Sequence, residues 1–370
     1  MKRTRVIPRS DYKQQLESVG VLWHSVDDYW SESTCYEFTA AEVDKLETVT
    51  GELHDMAIKA AEHVVEKKLY SKIGIDASLV PAIENSWNED HPQVYGRLDL
   101  WYDGSSDAKL LEYNADTPTG LLEAAIAQWH WFEHHGGNDQ WNSLHEKLIE
   151  RWKFVHAKSP TVHFAALGAS VEDRMTTTYM ADTAQQGGLE VITMDTQNIG
   201  WDNVEFVDEK NAPIKACFKL YPWEWMAMEQ FWPHVVPSGC LFIEPPWKLL
   251  LSSKGLLAIL WELYPDHPNL LATHFEDGFL ESYAKKPMFG REGSNVELVL
   301  MGETLIKTGG DWEGEPVIYQ DLRSLPAFDG QHPVLGSWLV NGWPAGLGIR
   351  ESSTLVTGNT SRFVPHRIVG

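Results

Sequence analysis

The sequence predicts a mixed α+β and α/β protein. Three observations carry that expectation. A long amphipathic helical run sits near the start, a strand–helix–strand alternation begins at residue 161, and alternating strands separated by turns fill the last hundred residues. A chain of 370 residues suggests two or more closely packed lobes. Neither a repeat nor a low-complexity linker divides it, so the expectation is one compact module with internal segments at 1–155, 156–245 and 246–370.

Residues 40–69 read as a single helix, with Thr39 as a plausible cap and apolar positions at three- and four-residue steps. A hairpin follows in GRLDLWYDGSSDAKLLEYNADTPTG, residues 96–120. Arg97 and Asp99 alternate with Leu98 and Leu100; after the DGSSDA turn, Glu112 and Asn114 alternate with Leu111 and Tyr113. Side chains two apart share a face of a strand. One face is therefore expected to be leucine and tyrosine, and the other an arginine, two carboxylates and an amide. LLEAAIAQWHWFEHH and WNSLHEKLIERWKFV read as the next two helices.

TVHFAALG is an apolar strand ending in glycine, and VEDRMTTTYMADTAQQGG a helix closing at glycine. LEVITMD, VEFVDE and PIKACFKLY are short strand candidates, completing a small α/β lobe of roughly 80 residues. SSKGLLAILWELYPDHP reads as a helix between serines and a proline. Beyond it ESYAKKPMFGREGSNVELVL, EPVIYQDLRSLP, HPVLGSWLVNGWPAGLGIRES and STLVTG read as strands, mostly antiparallel by their turn spacing.

Composition limits the function classes. Hydrophobic residues make up 43% and charged residues 22%, as in an ordinary soluble globular protein. A formal charge of −23 argues against a nucleic-acid backbone or an anionic membrane as main partner. It tolerates polyamines and other cations. Cys35, Cys217 and Cys240 are odd in number and widely spaced, which suits a reducing compartment and neither a disulfide framework nor a zinc site. The basic N-terminus has no apolar segment behind it and no run is long enough to span a bilayer, so a cytoplasmic location is expected.

The polar hairpin face admits two readings. Asp99, Glu112 and Asn114 are hard oxygen donors of the kind magnesium takes, with Arg97 beside them as a fork for phosphate oxygens. The same alternation describes a solvated face on an edge hairpin. Asp116, Thr117 and Thr119 lie between the hairpin and the next helix, where hydroxyls and free amides can hold a carboxylate or merely cap the helix. AKKPMFGREGSN, residues 284–295, pairs a strand lysine with a glycine-bounded loop able to close over phosphates, or forms a plain turn. It matches neither a Walker loop nor GxGxxG. Lys254, Gln320 and Arg350 suit a phosphate, a base edge and a phosphate respectively, and each also suits an ordinary strand or helix position.

Taken in order, RLD at 97–99, LEYNADTPT at 111–119, LYPWE at 220–224, EPPWKLLLSSK at 244–254, KKPMFGREGSN at 285–295, IYQDL at 318–322 and GLGIRE at 346–351 resemble the synthetase domain of the glutathionylspermidine synthase family, in its stand-alone acid–amine ligase branch. The resemblance covers nearly the whole chain. It implies an ATP-grasp fold with a largely antiparallel nucleotide-binding sheet, a smaller pre-ATP-grasp-like lobe at 156–245, and a homodimer. It implies ATP and two Mg2+ ions, the latter held by Asp99, Glu112 and Asn114. Arg97 would contact the transferred phosphoryl group, and Arg291 and Arg350 would guard the phosphate end. Lys254, Lys286, Glu292, Gly293, Gln320, Asp321, Leu322, Arg323, Leu355, Val356 and Thr357 would bind ATP. Thr117, Thr119, Glu172, Asp173 and Trp225 would contact the acid, a peptide or glutathione-like carboxylate to be joined to a polyamine-type amine. Thr117 replaces the family's serine, and Trp225 stands where the synthases carry a small hydroxyl residue, which reshapes a thiol-peptide pocket. Two other functions fit the same residues: phosphate transfer without amide formation, and nucleotide binding without catalysis.

Overall fold

The computed structural model describes residues 1–359 and 361–370. Helix Ala40–Lys67 begins at a capping box: the Thr39 side chain accepts from the Glu42 amide while the Glu42 carboxylate accepts from the Thr39 amide. Its buried stripe, with Leu46, Leu53, Ala57, Ala60 and Val64, packs against helices Leu249–Ser252 and Gly255–Leu263 and against the sheet that carries the hairpin. Thr50 Oγ1 is 2.7 Å from Ser337 Oγ, and His54 Nδ1 is 2.8 Å from the Tyr113 hydroxyl.

The predicted hairpin forms from strands Tyr95–Trp101 and Lys109–Asn114, with Arg97 opposite Asn114 and Asp99 opposite Glu112. These strands are one edge of a five-stranded antiparallel sheet. It continues through His332–Val340 and Trp343–Ser352 to Arg362–Phe363. Residues from the expected 1–155 and 246–370 segments thus share one central sheet. Leu98, Leu100, Leu110 and Tyr113 are buried beneath the hairpin. Leu111 departs from the expected alternation. The register shifts after Asp99, so that Leu100 pairs with Leu110 and Leu111 is the extra residue of a bulge. It lines the cleft above the sheet instead of the core below.

A second antiparallel sheet orders strands Thr273–His274, Val317–Asp321, Tyr283–Pro287, Glu297–Leu300 and Glu303–Lys307. It carries Lys286 and is called the lysine sheet here. Helix Gly255–Leu263, fully apolar on its buried side, packs beneath it. The small α/β lobe is a four-stranded parallel sheet in the order Leu241–Ile243, Ala216–Leu220, Thr161–Ala166, Glu190–Asp195, with helix Val171–Gln186 as the first crossover. Strands Lys2–Arg5, Thr34–Phe38 and His366–Ile368 form a further sheet that brings the two ends of the described chain together.

Three expectations need correction. The segment after the hairpin opens with a π-helical stretch, Glu123–Ala127, before helix Gln128–His135. VEFVDE yields only the two-residue strand Phe206–Val207. STLVTG is not a strand: it runs as bends after Ser352, held by side-chain contacts such as Thr354 N to Ser352 Oγ at 3.1 Å. Among the described residues no helix is long and apolar enough to cross a membrane. All three cysteines are free and buried.

The polar face stands on its apolar underside, so Leu98→Ala should lower unfolding free energy by about 2–5 kcal/mol, the usual cost of a buried leucine truncation. A urea midpoint unchanged from wild type would show that this underside does not hold the hairpin.

Candidate functional site

The alternation of charged and apolar residues places Arg97, Asp99, Glu112 and Asn114 on one face of the hairpin. That face is covered, not solvated: the Arg97 and Asp99 side chains are 15% and 14% exposed. Arg97 grips Asp99 with Nε to Oδ1 at 2.6 Å and Nη2 to Oδ2 at 3.0 Å, and its Nη1 donates to the Thr119 carbonyl at 2.5 Å. The guanidinium lies 5.5 Å from the centre of the Trp338 ring, contributed by the next strand of the sheet. Asn114 Nδ2 donates to Asp99 Oδ2 at 3.1 Å and to Glu112 Oε1 at 3.0 Å, bridging the two carboxylates.

Lys254, which precedes helix Gly255–Leu263, places Nζ 2.9 Å from Glu112 Oε2 and 2.7 Å from the Gly290 carbonyl. Lys286, on the lysine sheet, donates to Gln320 Oε1 at 2.7 Å and to the Leu111 carbonyl at 3.3 Å. These charges determine the protonation of the pair. Burial pushes Asp99 up, with Glu112 adding to it against the pull of Arg97. Burial also acts to raise Glu112, but Lys254, Lys286 and the Asn114 amide outweigh it and hold Glu112 well below the usual carboxylate range. Burial pulls Lys286 down to about 8 even though Glu112 favours its charged form.

Two continuous hollows meet at Asp99 and Glu112. One, of about 890 Å³, runs between the central and lysine sheets. Lys254 and Lys286 line it near Glu112, together with Leu271, Ala284 and Leu298, and Asp321, Leu322, Arg323 and the 355–357 segment also line it. The other, of about 940 Å³, continues past Arg97, Thr117 and Thr119 to Arg291 and Arg350. Gln320 lines the first hollow with its amide already engaged, since Oε1 accepts from Lys286 and Nε2 donates to the Leu110 carbonyl at 3.2 Å. It orders Lys286 instead of offering a free amide to a base edge.

The loop after Lys286 lies across the junction. Glu292 and Gly293 both adopt positive φ, 56° and 68°, and a Cβ on Gly293 would come within 2.7 Å of the Thr357 carbonyl. Glycine thus lets this loop close on the 355–357 segment. Arg291 donates from Nη1 to Thr117 Oγ1 at 2.9 Å and from Nη2 to Glu224 Oε1 at 2.5 Å, with its Cζ 5.9 Å from the Trp225 ring. Arg350 Nη2 donates to the carbonyls of Gly358, Asn359 and Ser361 at 2.9, 3.2 and 3.0 Å. Glu172 and Asp173 begin helix Val171–Gln186 outside the walls of the cleft. Glu172 is pushed up to about 7 by burial and then by Glu123, against Arg350.

The group Asp99, Glu112 and Asn114 suits a small hard cation. It presents two carboxylates and an amide whose half-turn brings an oxygen to the same place, and magnesium takes few protein ligands. Among the described residues no three His, Cys, Asp or Glu side chains gather at metal-binding range. Sequence reasoning missed the Glu224 partner of Arg291 and the Trp338 platform under Arg97. It also missed the buried Glu123, which accepts from the Tyr29 hydroxyl at 2.7 Å and Trp23 Nε1 at 3.0 Å. The E of LYPWE was the available signal for the first; no local pattern marks the others.

The family described as glutathionylspermidine synthase preATP-grasp matches residues 3–369. The chain is 40% identical to a provisionally named acid–amine ligase of Haemophilus influenzae, with 100% of each covered. It is 28% identical to the bifunctional glutathionylspermidine synthetase/amidase of Escherichia coli strain K12 over 90% of this chain, and spans 59% of that protein. The apo structure of a glutathione synthetase-like effector from Globodera pallida superposes with a TM-score of 0.56 at 9% identity, covering 98% of this chain and 100% of that one, a likeness of fold.

Lys286 offers a direct check on this electrostatic arrangement. With 13C-methylated lysines, its resonance should titrate near 8, and Glu112→Gln should move that midpoint lower by removing the carboxylate that favours its charge. Because folding lowers this pKa from 10.5, the unfolded chain binds the extra proton between about pH 8 and 10.5; stability attributable to this lysine therefore rises with pH across that window. A Lys286 titration at 10 or above, unmoved by Glu112→Gln, would refute the arrangement.

Proposed function

Since the chain belongs to the glutathionylspermidine synthase preATP-grasp family, we propose that it is an ATP-dependent acid–amine ligase that forms an amide through an acyl phosphate. The observation that carries this reading is the junction of the two hollows. There, two carboxylates and an amide on a rigid hairpin oppose Lys254 and Lys286, with Arg97 alongside. In this reading the central and lysine sheets are the two halves of an ATP-grasp. Residues 156–245 are then the pre-ATP-grasp-like lobe.

ATP occupies the hollow between the sheets. Its base lies toward Leu271, Ala284 and Leu298, and its phosphates toward Lys254 and Lys286. Asp99, Glu112 and Asn114 would hold magnesium, which would supply neutralisation of the phosphate charge. The acid lies in the second hollow, near Thr117 and Thr119 with Arg291 above. Its carboxylate oxygen attacks the γ-phosphorus in line, ADP departs, and the acid carries an acyl phosphate. A neutral amine then adds at the acyl carbon and expels phosphate, leaving the amide. A free carboxylate is a poor acyl donor at neutral pH, and phosphorylation supplies the leaving group. The protein's own contribution is positioning and charge stabilisation. Arg97, locked on Asp99 and the Thr119 carbonyl, lines the second hollow beside the Asp99 junction where the phosphoryl group passes. Gly293 lets the loop close and exclude water. The net charge of −23 tolerates the di- or polyamine that the family suggests, and Trp225 beside Arg291 favours an acid other than an extended thiol peptide.

An ADP-release screen pairing small acids and peptides with di- and polyamines should find amine-dependent turnover and an amide product by mass analysis. ADP release with a phosphorylated product and no amide would instead indicate a phosphotransferase. No release with any pair would indicate nucleotide binding alone. Arg97→Ala should lower kcat by about 100-fold or more, the range for a lost transition-state donor. Near-normal kcat with only a raised KM would remove that role. Glu112→Ala should abolish magnesium-dependent ATP binding, and unchanged affinity by calorimetry would remove the metal assignment.

A further inference from the structure

Asp116 touches neither hollow, yet it lies behind both groups that hold Arg291. The residue is 2% exposed. Its Oδ1 is 2.6 Å from Lys219 Nζ in an ion pair whose side chains are each 1% exposed. Its Oδ2 accepts from the backbone N–H of Trp223 at 2.9 Å. The backbone N–H groups of Ala115 and Asp116 donate to Ser252 Oγ at 3.2 and 3.0 Å, which fixes the chain leaving the hairpin. The residue after Asp116 is Thr117 and the residue after Trp223 is Glu224. These two hold the Arg291 guanidinium at 2.9 and 2.5 Å.

We infer that Asp116 is a positioning residue: its carboxylate sets the span between Thr117 and Glu224, and so places Arg291 over the acid hollow. Three elements that are far apart in the chain meet at this carboxylate: the hairpin exit, the end of parallel strand Ala216–Leu220, and the short helix Trp223–Met226. A buried carboxylate bonded at both oxygens has no alternative partner from solvent, so the span cannot relax without leaving a charge unpaired. Lys219 completes the device. Its Nζ also sits 4.3 Å from the centre of the Trp223 ring and thus bears on the same turn that carries Glu224. The kinetic consequence rests on the ligase reading; the geometric one does not.

A double-mutant cycle between Asp116 and Arg291 tests this on the whole chain. In the protein without substrates, hydrogen exchange across residues 288–295 should accelerate in Asp116→Asn and in Arg291→Ala, and no further in the double variant. With a substrate pair from the screen, Asp116→Asn should raise KM for the acid about tenfold and leave KM for ATP within about twofold, the signature of one misplaced contact group. In the Arg291→Ala background it should change neither. Independent, multiplying effects in the double variant would overturn the proposal, as would equal increases in both KM values or wild-type behaviour of Asp116→Asn. Because the pair is buried, the same cycle is run in Asp116→Asn/Lys219→Gln, which strands no charge. Failure of both variants to fold would make Asp116 a structural residue and end the proposal. If wild type turns over no pair, the ligase reading fails, and the exchange cycle still decides whether Asp116 acts through Arg291.

Discussion

Asp99 and Glu112 face each other across two adjacent strands, where two negative charges cannot both persist without cations close by. The architecture answers that constraint from three directions. Arg97 comes from the same strand as Asp99, Lys254 from the start of an apolar helix, and Lys286 from a different sheet. The result is asymmetric: Glu112 is driven toward full ionisation while burial keeps Asp99 raised.

The scaffold around this pair is pinned by other buried ion pairs. Glu244 and Lys248 are 2.9 Å apart and fully buried; Glu244 Oε1 accepts from the backbone of Val94 and Tyr95, and Lys248 donates to the Tyr95 carbonyl. That pair fixes where the first hairpin strand begins. Asp116 and Lys219 fix where the hairpin ends. Buried pairs of this kind contribute little net stability over apolar packing, because desolvation offsets attraction. Their effect is on geometry, since each charge tolerates one arrangement of partners. Placed at both ends of the hairpin, they hold the polar face in a single register.

Much of the site was legible because strand alternation is local. Arg97, Asp99, Glu112 and Asn114 share a face for the same reason that Leu98 and Tyr113 share the opposite one. The Thr39 cap was legible because a hydroxyl residue stands at the head of the apolar-periodic run. Leu111 was misplaced because it is the extra residue of a bulge, which puts it on the same side as its neighbour Glu112, and a bulge depends on the partner strand. Gln320 resembled a free amide because its two acceptor and donor partners, Lys286 and the Leu110 carbonyl, lie 34 and 210 residues away. STLVTG looked like a strand by composition, yet it runs as bends against the distant loop that carries Gly293.

By itself the sequence determined the periodicities, hence which side chains could act together on one element, and the ordered motifs that mark the family. Only the tertiary structure decided which elements face one another. The ion pairs Arg291–Glu224, Lys254–Glu112 and Lys219–Asp116 join segments that no local pattern links. The reason is physical: alternation and helical period follow from bonds between near neighbours, whereas pairing of buried charges is a property of the folded interior, where removal from water makes every partner count.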